Sequence, residues 1–209
     1  VGVHIAVVGH HHTGRQRDHV VAVVPLLSLG LPTVAAGGHH LQRGAFQGMG
    51  EHLEERPFVF LHCELAGLVG AGDGAILIVA DAIVLGLMRQ ALVDALGPHA
   101  ARATFAEFGG ECTAEEITRL ADEARRGRAS SIVGVGGGKA IDTAKGVARE
   151  ISAVLVIVPT VASNDSPTSR LAVVYTGEHV LSEVRLMAHN PDAVVVDTSV
   201  IVRAPERYF

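Results

Sequence analysis

From Ala75 onward, short runs of Val, Ile and Leu alternate with amphipathic stretches of helical period, and no other feature narrows the fold more. AILIVA (Ala75–Ala80) reads as a strand, and AIVLGLMRQALVDAL (Ala82–Leu96) as a helix stopped by Gly97-Pro98. A short strand is expected near Ala101–Phe105. TAEEITRLADEARRG (Thr113–Gly127) then reads as a helix with a capping box, Thr113 at the N-cap and Glu116 at N3, closed by Gly127. SIVGV (Ser131–Val135), a helix over Lys139–Glu150 and VLVIV (Val154–Val158) follow. Strands alternating with helices of this length mean β-α-β units, an α/β class and a mainly parallel sheet flanked by helices. LAVVYT (Leu171–Thr176) and AVVVDT (Ala193–Thr198) read as an outlying pair joined by a polar connection from Gly177 to Asn190.

In such a sheet, ligands sit beyond the carboxyl ends of the strands. That edge collects Asp81, the turn Gly136–Lys139 and the loop after Val158. Three consecutive glycines between a strand and a helix allow a tight turn and a close approach to the backbone. The N–H groups there sit at the positive end of the helix dipole, which suits a phosphate. The turn matches neither famous fingerprint. A dinucleotide G-x-G-x-x-G needs glycine at 139, where Lys139 stands, and a P-loop needs glycine at 133 and Ser or Thr at 140, where Val133 and Ala140 stand. Lys139 can neutralise a phosphate, or it can be a solvated first-turn lysine. Asp142 and Lys145 lie three apart on one helix face, where they can pair with each other for a few tenths of a kcal/mol. The next loop, PTVASNDSPTS (Pro159–Ser169), places hydroxyls at Thr160, Ser163 and Ser169 and a carboxylate at Asp165 on the same edge. Turn and loop together favour a nucleotide.

The charge of −5 and the absence of Trp argue against a general nucleic-acid binder. Cys63 and Cys112 form no metal motif or disulfide framework, so a reducing, cytoplasmic setting is the expectation. Nine of the twelve histidines fall at or before His62, in a leader (residues 1–70) with no readable alternation of strand and helix. Val20–Gly38 is uncharged over nineteen residues, but its prolines and glycines make it a poor spanning helix, and no membrane role is expected. Adjacent histidines point in different directions, so His10–His12 and His39–His40 are not expected to form a metal site. The leader is expected not to be native to the fold, and residues 71–209 to form the domain.

GVGGGKAIDTAK, followed by VIVPTVASNDSPTSRLAVVYT, NPDAVVVDT and APER, resembles the amino-terminal half of glycerol dehydrogenases of the iron-containing alcohol dehydrogenase superfamily. LIVADAIVLG and EFGGECTAEEI extend the resemblance upstream, so that it spans roughly Gly72–Arg207. It implies a Rossmann-like NAD-binding domain, a separate all-helical metal-binding domain, and NAD-linked oxidation of glycerol to dihydroxyacetone with zinc polarising the alcohol oxygen. It implies Asp81 at the adenosine and Gly137, Gly138 and Lys139 at the pyrophosphate, and Gly136 and Asp142 of the same turn and helix are expected among the cofactor-binding residues. Thr160, Ser163, Ser169, Leu171 and Tyr175 would line the cofactor groove, and Asp165 would reach the substrate hydroxyls. NAD and a small polyol are thus the expected partners, and a homo-oligomer is expected of the full-length form. The zinc ligands are expected beyond Phe209, so the chain by itself is expected to bind NAD without turnover. Another polyol, a hydroxyacid or a glycerol phosphate remains open as substrate, as does a nucleotide-binding module without chemistry.

Overall fold

A computed structural model describes residues 20–24, 65–66, 68–69, 73–162 and 165–206. Eight strands are present among them: β1 (Val20–Val24), β2 (Ala75–Ala80), β3 (Ala103–Glu107), β4 (Ala129–Gly136), β5 (Val154–Pro159), β6 (Leu171–Tyr175), β7 (Leu181–Leu186) and β8 (Ala193–Asp197). The longer helices are α1 (Ala82–Leu96), α2 (Ala114–Arg126) and α3 (Gly138–Ile151), and a short α4 (Thr198–Ile201) follows β8.

The main sheet runs β1-β8-β5-β4-β2-β3, and its neighbouring strands pair in parallel. The chain passes from β2 to β3 on one side, then crosses back to β4 on the other, so the winding reverses at β2/β4. This is a Rossmann-like α/β layering with the flavodoxin-type strand order, and its ligand crevice lies at that reversal. The reversal also puts the helices on opposite faces. Ile76, Ile78 and Ala80 of β2 pack with α1, whereas Leu77 and Val79 pack with α2 and α3. Strands buried on both faces read as continuous apolar runs, which is why AILIVA and VLVIV carry no alternation.

Two glycines fix how close these layers come. A Cβ on Gly134 of β4 would stand 2.5 Å from the Cβ of Ala144, so α3 lies almost against the strand backbone. A Cβ on Gly146 would stand 2.6 Å from Cδ1 of Ile117, so α2 presses on α3 in the same way.

Several expectations change. β6 pairs antiparallel with β7 in a separate ribbon against α3, and β8 lies in the main sheet beside β5. Leu171–Thr176 and Ala193–Thr198 are therefore no pair, and the polar connection between them contains a strand. The leader supplies an edge strand, with Val20–Val24 alongside Ala193–Asp197. Leu65 and Val69 are buried in the α1-side core, so packing begins upstream of residue 71. The histidine clusters lie outside the described residues. A 3-10 turn (Gly97–Arg102) delays β3 to Ala103. Thr113 caps α2 by accepting from the Glu116 amide at 3.1 Å, but the Glu116 carboxylate accepts from the Gly109 amide at 2.8 Å, so the capping box is half-formed. Among the described residues no helix is long and apolar enough to cross a membrane.

Candidate functional site

The site is built on the crevice at β2/β4. Gly136 ends β4 at φ +148°, a backbone state that side chains with a Cβ rarely adopt. Gly137 is the N-cap of α3 and offers no side-chain cap, whereas α1 and α2 are capped by Asp81 and Thr113. The first-turn N–H groups of α3 are thus left to a ligand or to water. Thr160, at the end of β5, donates its amide to the Gly136 carbonyl at 3.1 Å and ties the following loop to the glycine turn.

Beside this turn lies a cavity of about 370 Å³ lined by Gly138, Lys139, Asp142, Asp165, Ser166, Ser169, Leu171, Val173 and Tyr175. It unites seven of the residues anticipated from sequence. Asp81, Gly136, Gly137 and Thr160 stand on the same sheet edge outside its lining, and Ser163 lies outside the described residues. Asp81 caps α1, its Oδ1 accepting from the Val84 amide at 2.9 Å. Asp165 is exposed, and its carbonyl accepts from the amides of Thr168 and Ser169 at 3.0 and 2.9 Å, holding the loop in a turn.

Lys139 is exposed but not alone. Its Nζ donates to Glu111 at 2.6 Å and stands 5.7 Å from the centre of the Tyr175 ring. His179 contacts the same Glu111 oxygen, and the Cys112 amide donates to the other. Burial raises the Glu111 carboxyl, but the hydrogen bonds from Lys139, His179 and the Cys112 amide outweigh it and hold the group below its ordinary value. The neighbouring Cys112 thiol is buried in apolar surroundings and pushed up to about 11.

Asp142 and Lys145 depart furthest from expectation. Lys145 is completely buried and Asp142 nearly so. Lys145 Nζ donates to Asp142 Oδ1 at 3.0 Å, to Ser169 Oγ at 3.5 Å and to the Leu171 carbonyl. Asp142 also accepts from Ser166 Oγ at 2.8 Å and from the Val173 amide at 3.0 Å. Asp142 lines the cavity and Lys145 is fully buried outside its lining, where exposed side chains worth a few tenths of a kcal/mol were expected. Sequence spacing marked the pair, but its burial depends on the β6–β7 ribbon covering α3. Glu111, Ser166 and His179 were missed as site residues. Nothing local to Glu111 and His179 distinguishes them from surface charges.

A second cavity, about 380 Å³, is lined by Gly146, Arg149, Glu150, Glu183 and Arg185. There Arg185 pairs with Glu183 at 2.7 Å and Glu150 with Arg125 at 3.2 Å, so its charges are largely matched within the protein. Among the described residues no group of three or more His, Cys, Asp or Glu could hold a metal ion. The zinc implied by the resemblance therefore has no fit among them.

With this geometry in view, comparison with known proteins is decisive for ancestry. The profile of the iron-containing alcohol dehydrogenases matches residues 63–198. The chain belongs to that family. A glycerol dehydrogenase of Escherichia coli O6:H1 is 39% identical over 131 residues, covering 63% of this chain and 36% of that protein. A glycolaldehyde reductase of Halobacterium salinarum is 39% identical over 137 residues, covering 66% of this chain and 37% of that protein. Among solved structures, a probable glycerol dehydrogenase from Sinorhizobium meliloti 1021 superposes with a TM-score of 0.63 at 39% identity, covering 71% of this chain and 40% of that one. The resemblance read from the glycine turn and the loops is thereby borne out, as is the α/β architecture. The chain spans little more than a third of the length of these curated relatives.

Proposed function

We propose that this chain is the dinucleotide-binding part of an NAD-linked dehydrogenase acting on a small polyol, with oxidation of glycerol to dihydroxyacetone the best-supported reaction. The observation that carries the reading is the side-chain-free N-terminus of α3, opening at the winding reversal onto a cavity lined by a lysine, hydroxyls and two carboxylates. Gly136, Gly137, Gly138 and the α3 amides would receive the pyrophosphate, because no Cβ intervenes and the helix dipole favours an anion. Lys139, paired with Glu111 in the absence of ligand, would turn its positive charge to the phosphate.

Asp81 would meet the adenosine ribose, where a carboxylate accepts from hydroxyls and repels a 2′-phosphate. Ser169, Thr160, Ser163, Leu171 and Tyr175 would line the remainder of the groove, and Asp165 would accept from substrate hydroxyls. NAD, when bound, supplies the hydride acceptor. The chain's own residues orient it and present one face of it to the alcohol. We infer that the metal polarising that alcohol is held by residues outside the described set.

The identity shared with a glycolaldehyde reductase favours a second substrate reading, reduction of a small hydroxyaldehyde on the same cofactor. An NADH fluorescence titration tests the cofactor assignment. A Cβ at Gly137 would meet Val161 Cγ2 at 3.3 Å, so Gly137→Val crowds the turn while leaving the core intact. Saturable binding in the wild type and none in the folded variant is expected. A folded wild-type chain indifferent to millimolar NADH would refute the reading. Activity of the complete enzyme with glycerol against glycolaldehyde separates the two substrates.

A further inference from the structure

Among the described residues Lys145 is the largest fully buried side chain that carries a charge, and the chemistry proposed above makes no use of it. An ammonium has three donors, and here all three have acceptors: Asp142, Ser169 and the Leu171 carbonyl. Asp142, one turn earlier, receives Ser166 and the Val173 amide. Two side chains on a single turn of α3 thereby grip four points of the segment from Ser166 to Val173. Each of those four residues lines the cavity. The helix that presents the glycine turn and the segment that forms the opposite wall are thus joined by one buried ion pair. The segment's own bonds (Asp165 carbonyl to the Thr168 and Ser169 amides) shape its turn without attaching it to α3.

A buried ion pair is poor evidence of stabilisation, because desolvating two charges offsets most of their attraction. Its directional hydrogen bonds do fix geometry. We propose that Lys145, acting with Asp142, is a positioning pair that sets the distance between the α3 glycine turn and the 166–173 wall, and so determines the affinity of the cavity for its dinucleotide. This rests on the NAD reading of the same cavity.

The test compares the wild type with Lys145→Met and with Asp142→Asn/Lys145→Met, reading thermal unfolding, NADH affinity and amide hydrogen exchange in the unliganded chain. Lys145→Met strands the Asp142 carboxylate and is expected to lower the melting temperature markedly. The double variant removes the stranded charge and is expected to regain most of that loss. Its NADH dissociation constant should nonetheless stay on the order of tenfold or more above wild type, as expected when a binding wall is misplaced by an ångström. Its amides from Ser169 to Val173 should exchange roughly tenfold faster while those of β4 and β5 keep their protection. A double variant that fails to fold makes the pair a requirement of the fold and overturns the proposal. One that folds with wild-type affinity and wild-type exchange overturns it equally. A wild-type chain that does not bind NADH refutes the cofactor assignment alone, because the exchange comparison needs no ligand.

Discussion

Gly134→Ala measures how tightly α3 is seated on the sheet. The added methyl would lie 2.5 Å from the Cβ of Ala144 and 3.1 Å from Cδ1 of Ile157. Ile157 can turn a terminal methyl aside, but Ala144 has no rotamer to change. Reaching an ordinary carbon–carbon separation of about 3.5–4.0 Å needs a helix shift of about 1 Å. That helix is held between the sheet and the β6–β7 ribbon and crowded by Ile117 over Gly146. Overpacking of this kind costs about 1–3 kcal/mol, and the rigid partner puts the value near 3. Restricting the unfolded chain returns about 0.4–1 kcal/mol, leaving a net loss of about 2 kcal/mol.

With a urea slope of about 1–3 kcal/mol per molar, the midpoint should fall by about 1 M at unchanged slope. Ala144→Gly is the control. Alone it costs about 1 kcal/mol of helix propensity, but it removes the collision from the double variant. The two changes should then couple favourably by about 2 kcal/mol. A single variant within about 0.5 kcal/mol of wild type, or strictly additive effects, would refute the close seating of α3 on β4.

Cys112, with its thiol raised to about 11 by burial, should resist a thiol reagent at pH 8 until the protein unfolds; native-state labelling of its peptide at the rate of a free thiol contradicts this. Because its folded value lies above the unfolded one, its contribution to stability is present below the ordinary thiol range and is lost as pH rises towards 11. A Cys112→Ala chain should show a flatter alkaline limb. Glu111 is depressed instead, so its contribution is present above the ordinary carboxylate range and is lost as pH falls through the lowered value. Glu111→Gln should flatten the acid limb, and by releasing Lys139 it should tighten NADH binding by roughly two- to fivefold; weaker binding in the variant would count against Lys139 as a phosphate contact. Asp81→Ala should cost about 1 kcal/mol through the lost α1 cap, whereas Asp81→Asn keeps the cap and should narrow the preference for NADH over NADPH; an unchanged preference removes Asp81 from the ribose.

What could be read from the sequence was local. The apolar runs AILIVA and VLVIV and the periods of the helices between them follow from each segment having to bury apolar side chains, and the spacing of Gly136–Lys139 is a statement about one turn of backbone. The layered α/β class and the edge carrying Asp81, the glycine turn and the Thr160–Ser169 loop were legible for that reason. Pairing was not. LAVVYT and AVVVDT have similar composition, yet β6 joins β7 and β8 joins β5, because the partner of a strand is chosen by distant segments that must also be covered. The same dependence hid Glu111, which meets Lys139 across 28 residues of sequence, and His179, which meets Glu111 across 68. It also hid the depth of Lys145. On its helix alone that lysine is a partner for Asp142 on a solvated face, and only the ribbon laid over α3 takes both from water and turns them toward Ser166, Ser169, Leu171 and Val173. Local spacing determines which groups can meet along a helix; whether they meet in water or in the core is decided by what packs on top.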